Sequence, residues 1–285
     1  NIILSGGTEA EPLLLALYKE VILAGAHPVL KIGLKESSPF FYKHAKQHQI
    51  EKYPDILELT INKCRKYIGV SSESNTKELS TCDPKKITAR TKVTRKISDL
   101  ICNNQPKMHR VTTSYPTDAL AQDAEMSLNE YENFFYNACL QNWKQLGKQM
   151  DKIKSKFKTG SSVHLLGKNV DLKMKVYGNL AKADKGEENM PGGEIFMAPI
   201  KESLTGSIKF EYPAIRDGKE VTDIELIFKD GKVIESKASK NEDFLKEMLA
   251  TDAGSSFVGE LGIGCNPKIN KFTKDLLFDE KIGGT

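Results

Sequence analysis

Two glutamates, Glu194 in GGEIF and Glu260 in VGELGIG, stand in matched settings, each preceded by a glycine and followed by an apolar residue. They lie 260 − 194 = 66 residues apart. A carboxylate set in an apolar strand is costly to bury unless a cation or a hydrogen-bond donor compensates it. The neighbouring glycine lets another backbone or an ion come close. Two chemistries fit: a cation site, or a carboxylate that accepts turn amides or pairs with a lysine. Asp252, Asp279 and Glu280 share the same half of the chain and add the acidity that hard or borderline cations favour.

Other residue patterns say less. His44 and His48 are four apart in KHAKQHQ, a spacing that can share a metal on a helix, but the stretch is polar and reads as a solvated face. The five cysteines (Cys64, Cys82, Cys102, Cys139, Cys265) are an odd number without any two-residue spacing, and read as reduced and structural. SGGTEAEP after the first strand invites a dinucleotide reading, yet it lacks the third glycine and puts two acids where a pyrophosphate would sit. PKKITARTKVTRK holds six basic residues in thirteen without interleaved aromatics, which favours a solvated helix face over nucleic acid. The formal charge of +4 over 285 residues gives no separate case for nucleic acid. No apolar run reaches membrane-spanning length and no signal peptide opens the chain, so the expected compartment is the cytoplasm.

The elements that would position these groups fall into two textures. NIILSGG predicts a strand, Glu9 to Gly25 a helix through Leu13, Leu14, Leu17, Val21 and Ala24, and HPVLKIG a second strand. This strand-helix-strand unit implies a parallel sheet. SPFFYKHAKQHQIEKY predicts one helix and KYIGVSS a buried strand. Residues 83–156 read as helical, broken by the strand HRVTTSYP, with Ser127 and Glu130 as a capping box. Beyond Lys156, period-two alternation in VHLLGKNVDLKMKVYGN, GSIKFEYPAI and TDIELIFKDGKVIESKAS predicts strands, with Lys229-Asp230-Gly231-Lys232 as a hairpin turn. The expected architecture is an α/β N-terminal domain with a helical linker region over 1–157, and a β-rich α+β C-terminal metal-binding domain over 158–285.

ENMPGGEIFMAPIKESLTGSI, FKDGKV, TDAGSSFVGELGIGCNPKI and LFDEKIGGT occur in this order and closely resemble motifs of the M29 metallopeptidases, the thermophilic aminopeptidase T or S type. TSYPTDALAQDAEMSLNEYENF resembles the same family upstream. The resemblance implies a metal-dependent aminopeptidase that removes N-terminal residues from peptides by a metal-activated water. It implies two divalent ions, zinc or cobalt with manganese or magnesium as alternatives, and a homodimer. By the same resemblance Glu194 and Glu260 are metal-binding and catalytic, and the remaining His and Asp ligands are expected beyond Thr285. Two other readings stand beside it: a mononuclear iron ring-opening dioxygenase of similar fold, and a non-catalytic dimeric relative.

Overall fold

The structure, a computed structural model, describes residues 1–102, 108–216 and 219–285; the stretch 103–107 within the expected helical region therefore lies outside the described residues. In chain order the elements are β1 (Ile2–Gly7), α1 (Glu11–Leu23), β2 (Pro28–Gly33), α2 (Ser37–His44), α3 (Gln47–Ile50), α4 (Asp55–Lys63), β3 (Lys66–Ser71), α5 (Pro84–Cys102), β4 (His109–Ser114), α6 (Asp118–Asp123), α7 (Leu128–Cys139) and α8 (Trp143–Lys154). There follow β5 (Thr159–Gly167), β6 (Val170–Tyr177), β7 (Lys182–Asp184), β8 (Asn189–Met190), β9 (Glu194–Met197), β10 (Thr205–Lys209), β11 (Ala214–Arg216) and β12 (Lys219–Val221). The last are β13 (Glu225–Lys229), β14 (Lys232–Lys237), α9 (Glu242–Leu249), β15 (Leu261–Gly264) and α10 (Leu276–Asp279). None of the described helices is long and apolar enough to cross a membrane.

The chain divides into two compact units, Asn1–Phe135 with Gly186–Pro191, and Tyr136–Lys185 with Gly192–Thr285. This differs from a single boundary near residue 158 in two ways. The apolar side of α8 carries Leu146 and Met150, which pack with β6 and β9 in the second unit. And β8 returns the chain to the first unit, where Thr112 and Thr113 of β4 pair with Asn189 and Met190.

The first unit is a parallel sheet in the order β2-β1-β3-β4-β8. Adjacent residues of β1 point to opposite faces, and both are covered: Ile3 packs with Ile61, Cys64 and Ile97, while Leu4 packs with Ala10, Leu14, Val21 and Val70. Leu14 and Val21 are thus the buried stripe that the spacing in α1 predicts. The expected helix over 38–53 is instead two helices. Ala45 is extended (φ −63°, ψ 138°), and Gln49 Oε1 accepts the Lys46 amide at 2.9 Å to start α3. The basic residues of α5 are not a purely solvated face either. Lys86 Nζ donates to the carbonyls of Tyr42 (3.0 Å) and Ala45 (3.1 Å), and Arg90 to those of Ile50 and Lys52, so cations satisfy carbonyls at the ends of short helices.

Ser127 and Glu130 form the expected reciprocal cap: the Ser127 amide donates to Glu130 Oε2 at 2.9 Å, and the Glu130 amide to Ser127 Oγ at 3.3 Å. Ser127→Ala should cost about 1 kcal/mol. Urea unfolding monitored by far-ultraviolet dichroism checks this, and an unchanged midpoint would show the cap to be energetically silent.

The second unit contains an antiparallel sheet in the order β14-β13-β10-β6-β5, the pair β11-β12, and a three-stranded sheet in the order β15-β9-β7. In β6 Leu172, Met174 and Val176 are buried while Asp171, Lys173 and Lys175 face solvent, the alternation of a half-buried strand. These three join Leu146, Met150, Ile195, Met197, Leu204 and Phe228 in one core. The β13-β14 turn has Asp230 at φ 49° and Gly231 at φ 81°, the two left-handed residues of a tight hairpin.

Candidate metal-binding site

Glu194 opens β9, the central strand of the three-stranded sheet, where its cross-strand partners are Asp184 on β7 and Gly264 on β15. The next residue, Ile195, is fully buried in the core, so the strand's alternation sends Glu194 to the other face. There Glu194 is only 5% exposed, and so is Asp184. Gly262 makes the room: a Cβ at that position would lie 2.8 Å from Glu194 Oε1.

The turn leading into β9 is fixed by Asn266. Gly193 has φ 108°, and a Cβ on it would fall 2.6 Å from the Cβ of Asn266. The fully buried Asn266 amide donates to the carbonyls of Gly192 (3.0 Å) and Ala138 (3.2 Å), and its Oδ1 accepts from Gln141 Nε2 (2.9 Å) and the Lys268 amide (3.0 Å). Backbone bonds complete the turn: the Gly193 amide donates to Asp184 O at 2.8 Å, and the Cys265 amide to Gly193 O at 2.7 Å. Glu194 therefore sits at the end of a rigid element, where a side chain can be held in one geometry.

Charge gathers around it. Burial pushes the Glu194 carboxyl up to about 8; the charges of Glu280, Glu260 and Asp184 add to the rise, and that of Lys281 opposes it. Glu260 immediately precedes β15 and reaches solvent, yet its carboxyl is also raised, by partial burial and then by Glu280, again against Lys281. The charges of Glu260 and Glu280 thus act on Glu194, and that of Glu280 on Glu260, with Lys281 opposing both. Lys281 is fully buried and its Nζ donates to Glu280 Oε1. Cys265 belongs to the same neighbourhood: burial and then the Glu194 charge push its thiol up.

The other acidic residues of the second unit do different work. Asp252 Oδ1 accepts from the amides of Gly254 (2.7 Å) and Ser255 (2.9 Å), and these hydrogen bonds hold its carboxyl below the usual range. Asp279 Oδ1 accepts from the Thr273 amide (2.7 Å) and hydroxyl (3.0 Å), while burial pushes its carboxyl up to about 6. Both anchor loops. His44 and His48 are exposed on separate helices, α2 and α3. His164 is engaged across a hairpin with Asp171 Oδ1 at 2.8 Å. Asp184, Asn266, Gly262 and Lys281 escape a reading of spacing, because only strand register and loop packing bring them to Glu194.

The donors around Glu194 are carboxylates, which suit hard and borderline cations. A buried carboxyl beside other acids, with a glycine facing it, is a place a cation would relieve. Among the described residues no group of three or more His, Cys, Asp or Glu side chains is close enough to hold a metal ion.

With this geometry in view, three comparisons bear on its use. A family model described as "Thermophilic metalloprotease (M29)" matches residues 1–285. Aminopeptidase AmpS of Bacillus subtilis (strain 168) is 36% identical over 75 residues, 26% of this chain and 18% of that protein. Aminopeptidase T of Thermus thermophilus is 34% identical over 110 residues, 35% of this chain and 26% of that protein. The matched stretches therefore span about a fifth to a quarter of these curated relatives. The solved structure of wild-type AmpT from Thermus thermophilus superposes with a TM-score of 0.83 at 20% identity, covering 100% of this chain and 79% of that one. That likeness shows the mixed α/β fold.

Proposed function

Because the chain belongs to the M29 family of thermophilic metalloproteases, we propose that it works as a metal-dependent aminopeptidase on peptide substrates, with Glu194 and Glu260 holding divalent metal. The observation that carries this reading is the Glu194 carboxyl, buried in a cluster of acids and raised to about 8. Such a group is unfavourable alone and becomes favourable beside a cation. The names of the relatives, aminopeptidases T and S, supply the reaction class. We assign two ions, zinc or cobalt in preference to manganese or magnesium, and carry over the homodimer and the β-rich metal-binding half from the family resemblance. The five unpaired cysteines support a reducing, cytoplasmic setting.

When bound, the metal supplies Lewis acidity for the scissile carbonyl and a water acidic enough to act as a nucleophile near neutrality. The chain's own residues divide the remaining work. Glu194, on the rigid strand, fixes position through its carboxylate. Glu260 reaches solvent and is the carboxylate able to exchange a proton with water at its Oε atoms. Lys281 holds Glu280 by hydrogen bond, keeping one acid of the cluster paired. Gly262 keeps the space over Glu194 open.

The test is hydrolysis of leucine p-nitroanilide against its N-acetylated counterpart. Release from the free amine alone, abolished by a chelator and restored by zinc or cobalt, is expected. Equal cleavage of the acetylated substrate, or full activity in chelator, would reject the reading.

A further inference from the structure

β2 ends the parallel sheet: in the order β2-β1-β3-β4-β8 it pairs with β1 alone among the described residues. Ile2 stands opposite Pro28, and its amide donates to the His27 carbonyl at 2.9 Å. A parallel strand turns its backbone groups alternately to either side, so Val29 and Lys31 bond to β1 while Leu30 and Ile32 turn amide and carbonyl outward. Pro28 shares the outward side and has no amide proton to leave unpaired there.

Both faces beside this edge are hollow. On the α1 face a hollow of about 450 Å³ is bordered by Leu14, Leu15, Tyr18, Leu30 and Ile32, with Glu11 at its rim. On the other face one of about 540 Å³ is bordered by Val29, Leu30, Phe41, Ile56 and Leu57. Of the charged groups lining that second hollow, Lys52 pairs with Asp55 at 3.6 Å and Arg90 donates to carbonyls, which leaves Lys31 as the charge a covering surface must accommodate. Leu30, Ile32 and Leu34 are 52%, 43% and 68% exposed. Leu15, Tyr18 and Ile22 form an exposed stripe on α1 at three- and four-residue spacing, distinct from its buried stripe, and Ile56 is exposed on α4. These seven side chains expose an area on the order of the 800 Å² per partner that a standard protein interface covers.

We propose that this edge is an interface between two copies of the chain, β2 pairing antiparallel with β2 of the second copy across a two-fold axis, so that two five-stranded sheets become one. Symmetry selects the register. An axis at Lys31 would set two like charges directly opposite each other. An axis at Ile32 would draw on Leu34, whose carbonyl already accepts from the Ser37 amide (3.2 Å) and hydroxyl (2.6 Å). An axis at Leu30 keeps the pairing within β2, sets Lys31 opposite Val29, and lets the two copies of Leu30 exchange hydrogen bonds. The same axis puts both copies of α1 on one face of the joined sheet, where their exposed stripes meet. A patch that complements itself in this way is what a two-fold dimer requires. The inference draws on neither the peptidase reading nor the family resemblance.

Sedimentation of the parent, Leu30→Lys and Leu15→Lys tests it, with matching thermal melts to show that the variants fold. A dimer is expected in the parent, its dissociation constant raised on the order of a hundredfold by Leu30→Lys, which sets two ammonium groups at the axis, and about tenfold by Leu15→Lys. The register is read separately. Hydrogen-bonded antiparallel partners stand about 5.5 Å apart at Cα, within disulfide reach, so mild oxidation should join two copies of Leu30→Cys and leave the parent and Ile32→Cys unjoined. Crosslinking through Ile32→Cys instead would overturn the register. A monomeric parent overturns the interface: slow exchange of the Leu30 and Ile32 amides would then mean that another segment or partner covers the edge, and fast exchange that it is bare. A parent dimer left intact by Leu30→Lys overturns it too, while leaving a homodimer built on some other surface untouched.

Discussion

Glu194→Gln is expected to lower aminopeptidase turnover on the order of 10²–10³-fold at saturating metal, the scale on which losing one preorganised electrostatic group acts. Glutamine keeps the shape that fits over Gly262 but loses the negative charge. The variant should fold, because Ile195 and Met197 still fill the core and Asn266 still holds the turn. Metal retained after dialysis, measured by atomic emission, should fall together with turnover. Glu194→Asp keeps the charge but draws the carboxylate back along the strand's face, so it should recover part of the metal and less of the turnover. Glu260→Gln should also impair turnover, with a smaller loss of metal, since its carboxylate is only partly withdrawn from water. Parent-like turnover in Glu194→Gln would remove this residue from the site altogether.

The second large effect is on stability, and its sign is opposite. In metal-free protein the Glu194 carboxyl holds its proton up to about pH 8, against an ordinary value of 4.5. A raised carboxyl binds its proton more tightly folded than unfolded. Its contribution is therefore fully present below 4.5 and is lost as pH rises towards 8. For a group this buried the loss is on the order of a few kcal/mol. Asp279 acts in the same direction but is only half titrated at 6, and the Glu260 carboxyl is raised too, so over the interval from 6 to 8 it is the difference between the parent and Glu194→Gln that reports Glu194. Urea unfolding in chelator should show the parent weakening across that interval, while Glu194→Gln weakens less and becomes the more stable protein at pH 8. Added zinc or cobalt should reverse the order by stabilising the parent. A parent whose stability does not change between pH 6 and 8 would show that the carboxyl is not raised.

Patterns confined to one element were legible in advance. Leu14 and Val21 in α1, the Leu172-Met174-Val176 face of β6, and Asp230-Gly231 in its hairpin each follow from a repeat or turn rule acting over a few residues. The paired Gly-Glu-apolar settings singled out Glu194 and Glu260, and in the structure the Glu260 charge contributes to the rise of the Glu194 carboxyl. What spacing could not show depends on register between strands or on loops folding back. Asp184 faces Glu194 only because β7 pairs with β9 in that register. Lys281, in a charged run that reads as surface, is the most deeply buried cation of the cluster. The helix break at Ala45 left no strong signal, since neither glycine nor proline marks it. Two-residue β8 is too short for any alternation to appear.

That short strand bears on how the chain is made. The first unit takes its last strand from 186–191, after the chain has already spent 136–185 in the second unit. During synthesis the leading sheet therefore waits, one edge unpaired along β4, while residues 115–188 leave the ribosome. Its closing strand arrives immediately before Glu194, so completion of one unit and the start of the glutamate-bearing strand fall within the same few residues of translation. Neither unit corresponds to a contiguous stretch of messenger, and no single cut in the coding sequence releases one whole.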